Sequence, residues 1–397
     1  MGTSWSVKWY GTADAKQLEN ELQALLVEIN RQMSTWHPET EISRYNHLAP
    51  GSWYSVADDF WQVLEIAFRW AEASDGLYDP TAGPLVNLWG FGPTETRGGG
   101  LPTEAQIDEA RQRVGFRKVT RDAERKAIYQ PGGIYLDLSS VAKGYAVDRL
   151  ADVLDAHGIS SYLVEIGGEL KARGLKPNGQ GWRIAVVRPL ENVREVGWVL
   201  ELKDISIATS GDYRNVVTLD GVNKYSHTIN PLTGHPVPRD LASVTVLHET
   251  TGNADALATM LTVMGADQGQ AFAEQQSLAA MFIVRDGDQF RVPETAGFRR
   301  LLLNCVPAGV TRELIMETVI AAVILIGVIM SAMALGVIFA NKPIKGSCGG
   351  MATLGFKENC DICGGVQTKC DDYVQSLEAQ SLAEKKSIPP TRDLTPR

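Results

Sequence analysis

Not one cysteine precedes Cys305 in this chain, so the long N-terminal part has no disulfide framework and would fold in either redox compartment. Positive charge is not in excess either. The formal net charge is −9, which argues against nucleic acid as a partner of the whole chain. Histidine is sparse, at six residues. No internal repeat is present. The start, MGTSWSVKWY, has no basic n-region or apolar h-region and reads as a strand.

What is present divides the chain in two. Residues 318–340 form one uncharged apolar run, roughly the length of a bilayer-spanning helix. A buried core helix is the alternative, but a core helix this long usually carries a polar stripe, and the only hydroxyls here are Thr318 and Ser331. Lys342 and Lys345 follow the run, with Lys357 farther on, whereas Arg312 alone precedes it closely. The positive-inside rule then places the C-terminal side in the cytoplasm and the large domain outside it. Export needs a signal that this start does not show, so the expectation is either a true N-terminus upstream or a topology other than this one. Residues 298–317 read as a linker and 341–371 as a Cys-rich segment. Residues 372–397 are polar and read as a disordered tail.

The large domain, residues 1–297, mixes helical and strand patterns. Helical apolar spacing runs over 13–35 and 56–74, with further helices at 140–157 and 252–264. Strand-like runs occupy 127–130, 134–136, 162–166, 182–187, 198–202, 205–208, 243–247 and 280–284. Strands cluster in the second half without βαβ alternation, which predicts an α+β fold rather than a doubly wound sheet. The Gly/Pro-rich stretch 92–102 reads as a surface loop.

Four polar clusters carry candidate chemistry. In Asp-Leu-Ser-Ser-Val-Ala-Lys-Gly-Tyr-Ala-Val-Asp, 137–148, a strand at 133–136 runs into a helix. Ser139 or Ser140 is a natural N-cap there, the free N–H groups suit an anion such as phosphate, and Lys143 adds positive charge. The alternative is a capped core helix with Lys143 solvated. In Asn-Ala-Asp-Ala-Leu-Ala-Thr, 253–259, Asp255 and Thr259 project from one helix face. A carboxylate and a hydroxyl make a sparse hard-oxygen set of the kind that water and phosphate complete around Mg²⁺. Otherwise Asp255 complements the helix dipole in its first turn and Thr259 bonds a preceding carbonyl.

The third cluster, Ser-His-Thr-Ile-Asn-Pro-Leu-Thr-Gly-His-Pro at 226–236, is dense in turn formers and holds His227 and His235. His227 is a candidate proton shuttle or equally a structural turn histidine. The fourth, 76–92, is a long apolar, glycine-rich loop that could wrap a flat ring system or plug the core.

In this order the clusters resemble the FAD:protein FMN transferase family, the ApbE flavin transferases. The resembling stretches are MGTSW at the start, Met-Ser-Thr-Trp-His-Pro-Glu-Thr-Glu-Ile-Ser-Arg-Tyr-Asn at 33–46, Gly-Pro-Leu-Val-Asn-Leu-Trp-Gly-Phe-Gly at 83–92, 137–148, Ile-Gly-Gly at 166–168, Ser-Gly-Asp-Tyr-Arg at 210–214, 227–236 and 254–259. They cover most of residues 1–295. The resemblance implies that the domain splits FAD and moves its FMN half onto a Thr or Ser of an acceptor protein, as a phosphoester, with Mg²⁺. It implies FAD contacts at Met1, Trp36, Leu77, Tyr78, Asp79, Asp137, Lys143 and Ile229. It also implies Mg²⁺ held by Asp255, Thr259 and the backbone oxygen of Ser140. The family often has Tyr where Trp36 stands, and either ring can stack on a flavin or adenine. The acceptor hydroxyl must lose a proton as it attacks. His227 is the candidate base, Asp212 its rival, and Asp255 the residue on which catalysis depends.

The tail carries Cys348, Cys360, Cys363 and Cys370, including one Cys-x-x-Cys. Reduced thiols of this kind suit Zn²⁺, iron or an iron–sulfur cluster, the alternative being a linker with stray cysteines. Residues 316–365 resemble NqrM, a family of small membrane proteins. That resemblance implies help in maturing the sodium-translocating NADH:quinone reductase by supplying iron. The reductase carries covalent FMN, so its flavoprotein subunits are the implied acceptors. Two readings compete with flavin transfer: a non-catalytic flavin-binding or metal-chaperone assembly factor, and an FAD pyrophosphatase.

Overall fold

The computed structural model describes residues 2–93, 100–190, 195–212, 216–218, 223–287, 289–305 and 392–394. In chain order the elements are β1 (Trp5–Trp9), α1 (Ala15–Met33), α2 (Glu41–Asn46), β2 (Ser52–Ser55), α3 (Asp58–Ala73), α4 (Gly83–Leu88), α5 (Glu104–Arg111), β3 (Thr120–Asp122), β4 (Ala127–Gln130) and α6 (Ser139–Ala156). There follow β5 (Tyr162–Ile166), β6 (Glu169–Arg173), β7 (Trp182–Val187), β8 (Val196–Leu202), β9 (Ile205–Gly211), β10 (Val216–Thr218), β11 (Lys224–Ser226), β12 (Leu241–His248), α7 (Thr251–Met264), α8 (Ala266–Gln275), β13 (Ala279–Asp286), β14 (Gln289–Arg291), α9 (Ala296–Cys305) and β15 (Arg392–Leu394).

The main sheet runs β14-β13-β12-β9-β6-β5-β1-β15, and its pairings are antiparallel. The α+β expectation therefore describes the domain. One face of this sheet carries α1, α3, α6 and α7, packed through residues such as Leu22, Phe60, Leu150 and Leu257. The other face carries the β7–β8 hairpin and α9. β13 shows why its sequence is apolar without alternation. Ala280, Phe282 and Val284 enter the first core, while Ala279, Met281 and Ile283 enter the second. A strand covered on both faces has no polar side to show.

Local chemistry sets the helix starts. Asp14 Oδ1 accepts from the N–H groups of Lys16 and Gln17, each at 2.9 Å, and opens α1. α7 starts differently. Asp148, from α6, accepts from the N–H groups of Thr251 (3.0 Å) and Gly252 (2.9 Å). The last residue of the 137–148 motif thus caps a second helix and fixes α7 against α6.

Three expectations need correction. Residues 134–136 are not a strand. Their backbone groups pair with side-chain amides instead: Ile134 with Gln130 and Leu136 with Asn46, at 2.7–3.2 Å. An alternating apolar pattern cannot distinguish an amide partner from a strand neighbour. Neither serine caps α6. Leu138 holds the N-cap position, and the N–H of Ser139 donates to Asp137 Oδ1 at 2.9 Å. The 76–92 segment is not wholly loop, because it contains α4 with Pro84 in its first turn.

Residues 298–305 of the expected linker lie in α9, while Met1, the rest of the linker, the apolar run 318–340 and the four tail cysteines lie outside the described residues. Of the tail read as disordered, Arg392–Leu394 pairs with β1. Among the described residues no helix is long and apolar enough to cross a membrane.

Candidate active site

A close approach of two helices builds the centre of the site. At Gly144 of α6 an added Cβ would lie 2.3 Å from the Thr251 carbonyl oxygen and 2.8 Å from Asp255 Cβ. Only hydrogen fits there. The Gly144 N–H donates to Asp255 Oδ2 at 3.0 Å. In a regular helix that N–H addresses the carbonyl of residue 140. The Asp255 carboxylate therefore sits against the backbone turn that carries Ser140.

Lys143, one residue earlier, stands between two carboxylates. Its Nζ is 3.4 and 3.3 Å from the two oxygens of Asp255 and 3.1 Å from Glu169 Oε1. Burial alone would push the ammonium down; Asp255 and Glu169 more than offset this and hold it above the usual lysine range. Burial pushes the Asp255 carboxyl up, opposed by Lys143 and the Gly144 N–H. Burial likewise pushes Glu169 up to about 7, against Lys143 and with Asp255 adding to the rise. Asp255 is not in the first turn of α7 and does not serve its dipole; its partners are on α6.

These groups open into a cleft of about 1160 Å³. It is large enough for a dinucleotide-sized ligand. Trp36, Leu77, Tyr78, Asp79, Asp137, Ser140, Lys143, His227, Ile229, Asp255 and Thr259 all line it. The fold brings them from the α1–α2 loop, the segment before α4, the α6 start, the turn after β11, and α7. Trp36 is 66% exposed at the rim, an unusual place for an indole without a ligand. The Tyr78 hydroxyl is 2.9 Å from Ser140 Oγ, and burial pushes its pKa up.

Asp79 is different from its neighbours. Oδ1 accepts from the Thr81 N–H (2.8 Å) and hydroxyl (2.6 Å), and Oδ2 from the Phe116 N–H (2.9 Å). Its carboxylate is committed to the loop. His227 lines the cleft beside Phe91, with ring centroids 6.4 Å apart. His235 does not line it; it lies by Trp89 and 3.5 Å from Glu104.

Asp212, the rival base, is held in an ion-pair cluster. It is 1% exposed and bound by Arg239 Nε at 2.9 Å and by both Arg285 nitrogens at 2.7 and 2.9 Å. Asp212 is not among the cleft residues.

Glu169 belongs to none of the four polar clusters of the sequence. It follows the Ile-Gly-Gly stretch directly, and a carboxylate placed after paired glycines was the available signal. Among the described residues no three His, Cys, Asp or Glu side chains form a metal-holding group. The hard-oxygen set of Asp255, Thr259 and the Ser140 carbonyl suits Mg²⁺ without one. A cation, Lys143, already rests on both Asp255 oxygens, so the position accepts positive charge.

Comparison with known proteins identifies the family. The ApbE family profile matches residues 1–282. The FAD:protein FMN transferase of Vibrio cholerae is 41% identical over 305 residues, covering 76% of this chain and 90% of that protein. The FAD:protein FMN transferase of Haemophilus influenzae is 38% identical, covering 76% and 89%. The solved flavin transferase ApbE from Vibrio cholerae superposes with a TM-score of 0.69 at 38% identity, over 76% of this chain and 96% of that one. The ApbE protein of Thermotoga maritima superposes at 0.68 with 28% identity, over 76% and 96%. A second profile, (Na+)-NQR maturation NqrM, matches residues 337–381, a stretch that contains the four tail cysteines. Through residues 1–282, this chain belongs to the ApbE family of flavin transferases.

Proposed function

We propose that the domain transfers FMN from FAD to a Ser or Thr hydroxyl of an acceptor protein, in a Mg²⁺-dependent reaction. One observation carries this reading. A single dinucleotide-sized cleft holds a rim indole, a lysine and a hard-oxygen set together. The relatives in Vibrio cholerae and Haemophilus influenzae are named FAD:protein FMN transferases, which supports the transfer of FMN.

The acceptor oxygen attacks the phosphorus on the FMN side of the pyrophosphate. The P–O bond to the AMP half breaks, AMP leaves, and a phosphoester joins FMN to the protein. His227 takes the proton of the acceptor hydroxyl. Trp36 stacks on a ring of FAD, and the backbone of Leu77 to Asp79 with Ile229 shapes the wall around it. Asp255, Thr259 and the Ser140 carbonyl would hold Mg²⁺, which supplies charge neutralisation on the pyrophosphate. Lys143 adds a second positive charge, and Asp137 and the α6 N–H groups face the same region.

The tail extends the reading. Its match to a maturation factor of the sodium-translocating NADH:quinone reductase supports flavoprotein subunits of that complex as acceptors. Cys348, Cys360, Cys363 and Cys370 hold iron, or zinc, for a metal centre of the same complex. The run 318–340 spans the bacterial inner membrane, with the transferase domain periplasmic and the cysteines cytoplasmic, as Lys342 and Lys345 favour.

The test is a denaturing gel scored for covalent flavin fluorescence on a coexpressed acceptor subunit, with free FMN measured alongside. Transfer predicts a fluorescent acceptor band that D255A removes. Free FMN without a band would establish a pyrophosphatase, and neither product would establish a binding protein. Wild-type rates for D255A at limiting Mg²⁺ would overturn the metal placement.

A further inference from the structure

The two carboxylate oxygens of Glu169 are held differently. Oε1 is 3.1 Å from Lys143 Nζ, while Oε2 is buried without a hydrogen-bond partner. The residue is 5% exposed yet lines the cleft. A buried carboxylate oxygen left without a donor is costly and uncommon, so its retention calls for a reason. The backbone is arranged to place it. Gly167 and Gly168 adopt φ of +61° and +107°, and the turn they form sets Glu169 as the first residue of β6.

The charges around it do not balance. Two carboxylates, Asp255 and Glu169, share one ammonium. Lys143 also occupies both Asp255 oxygens, which the metal reading assigns to a cation. For a divalent ion to bind Asp255, the ammonium must leave. It cannot leave for solvent without giving up its place beside the pyrophosphate. Glu169 offers another partner for the same nitrogen, with a second oxygen that has no hydrogen-bond partner.

We infer that Glu169 is a positioning residue that retains Lys143 in the cleft while Asp255 passes from the ammonium to a divalent cation. This rests on the reading that Asp255 holds the metal. The exchange moves no covalent bond: one ion pair, Lys143–Asp255, is replaced by a metal–carboxylate contact, and the Lys143–Glu169 pair persists. Without Glu169, Lys143 has Asp255 alone and competes with the ion.

The experiment measures Mn²⁺ binding to the full chain by electron paramagnetic resonance, without acceptor, with D255N as the baseline for ions held elsewhere. K143M should tighten Mn²⁺ binding by about tenfold, because a competing charge is gone. E169Q should weaken it by about 30-fold in the unchanged chain but by about threefold in K143M. A loss of equal size in both backgrounds would overturn the proposal, since Glu169 would then act on the ion directly. Weaker binding in K143M would overturn it as well, and this holds even where E169Q fails to fold. Wild-type Mn²⁺ binding by D255N would instead defeat the metal placement beneath it.

Discussion

The N–H of Gly144 and the Asp255 carboxylate meet at 3.0 Å across a helix crossing that no side chain could enter. The contact places the candidate metal ligand against the turn of Ser140 and Lys143. It depends on the absence of one carbon atom.

Gly144→Ala should therefore cost stability and function together. The new methyl would overlap the Thr251 carbonyl, which is backbone and cannot rotate aside. Overpacking of this kind costs about 1–3 kcal/mol. Thermal unfolding should show a lower Tm, and FMN transfer should fall well beyond the unfolded fraction. A variant with unchanged Tm and transfer would mean that α6 and α7 yield more easily than their packing indicates.

Trp36 offers the opposite case. It is 66% exposed, so truncation should leave Tm nearly unchanged. Trp36→Ala should weaken FAD binding by about 1–3 kcal/mol if the indole lies on a ring, and Trp36→Tyr should have a mild effect. Flavin fluorescence titration of the three forms measures this. Equal affinities would remove Trp36 from the binding surface.

Much of this was legible in the sequence, and the particulars show why. The long helices are legible through their apolar period, and β13 through a run of apolar residues. Asp255 and Thr259 could be placed on one helix face by spacing alone. Spacing could not show that Asp255 lies against α6, because Gly144 and Asp255 are 111 residues apart. Asp212 looked available for catalysis because Arg239 and Arg285 lie 27 and 73 residues away. The extended run 134–136 looked like a strand because side-chain amides leave no trace in apolar alternation. Glu169 does not stand out in the sequence because its partner, Lys143, lies on another element.

Glu169 also gives the domain a pH signature. Burial raises its folded pKa to about 7 from an ordinary value of 4.5. A carboxyl raised in the folded state binds more protons there than when unfolded, so it penalises folding as pH rises through that window. The penalty begins near pH 4.5 and is complete above about 7. Glu169→Gln removes this titration. Chemical denaturation in metal-free buffer should show wild-type stability falling relative to E169Q between these pH values. A constant difference between the two would show that Glu169 ionises normally.

The tail makes a separable prediction. If Cys348, Cys360 and Cys363 serve a metal centre rather than flavin chemistry, changing all three to Ser should leave FMN transfer intact. Assembly of the metal centre in the reductase should fail, read as lost absorbance and lost quinone reduction. A phosphatase fusion at Arg397 should be inactive and a fluorescent fusion bright, as for a cytoplasmic end. An external end would overturn the iron role and the compartment of the transferase domain together.

The two candidate bases can be told apart by what each loses. His227 lines the cleft, so His227→Ala should retain FAD binding and Tm while transfer falls by about 10²- to 10⁴-fold. Asp212 is buried between two guanidinium groups. Asp212→Ala would leave Arg239 and Arg285 without their shared carboxylate, and losing one partner of a buried ion pair costs about 3–5 kcal/mol. Its activity should fall only in proportion to the fraction unfolded, and cooling should recover it. Transfer assays at a fixed folded fraction decide the matter. If D212A at full folding were as slow as H227A, the proton would leave by a route through Asp212, and the ion-pair cluster would have to open during the reaction.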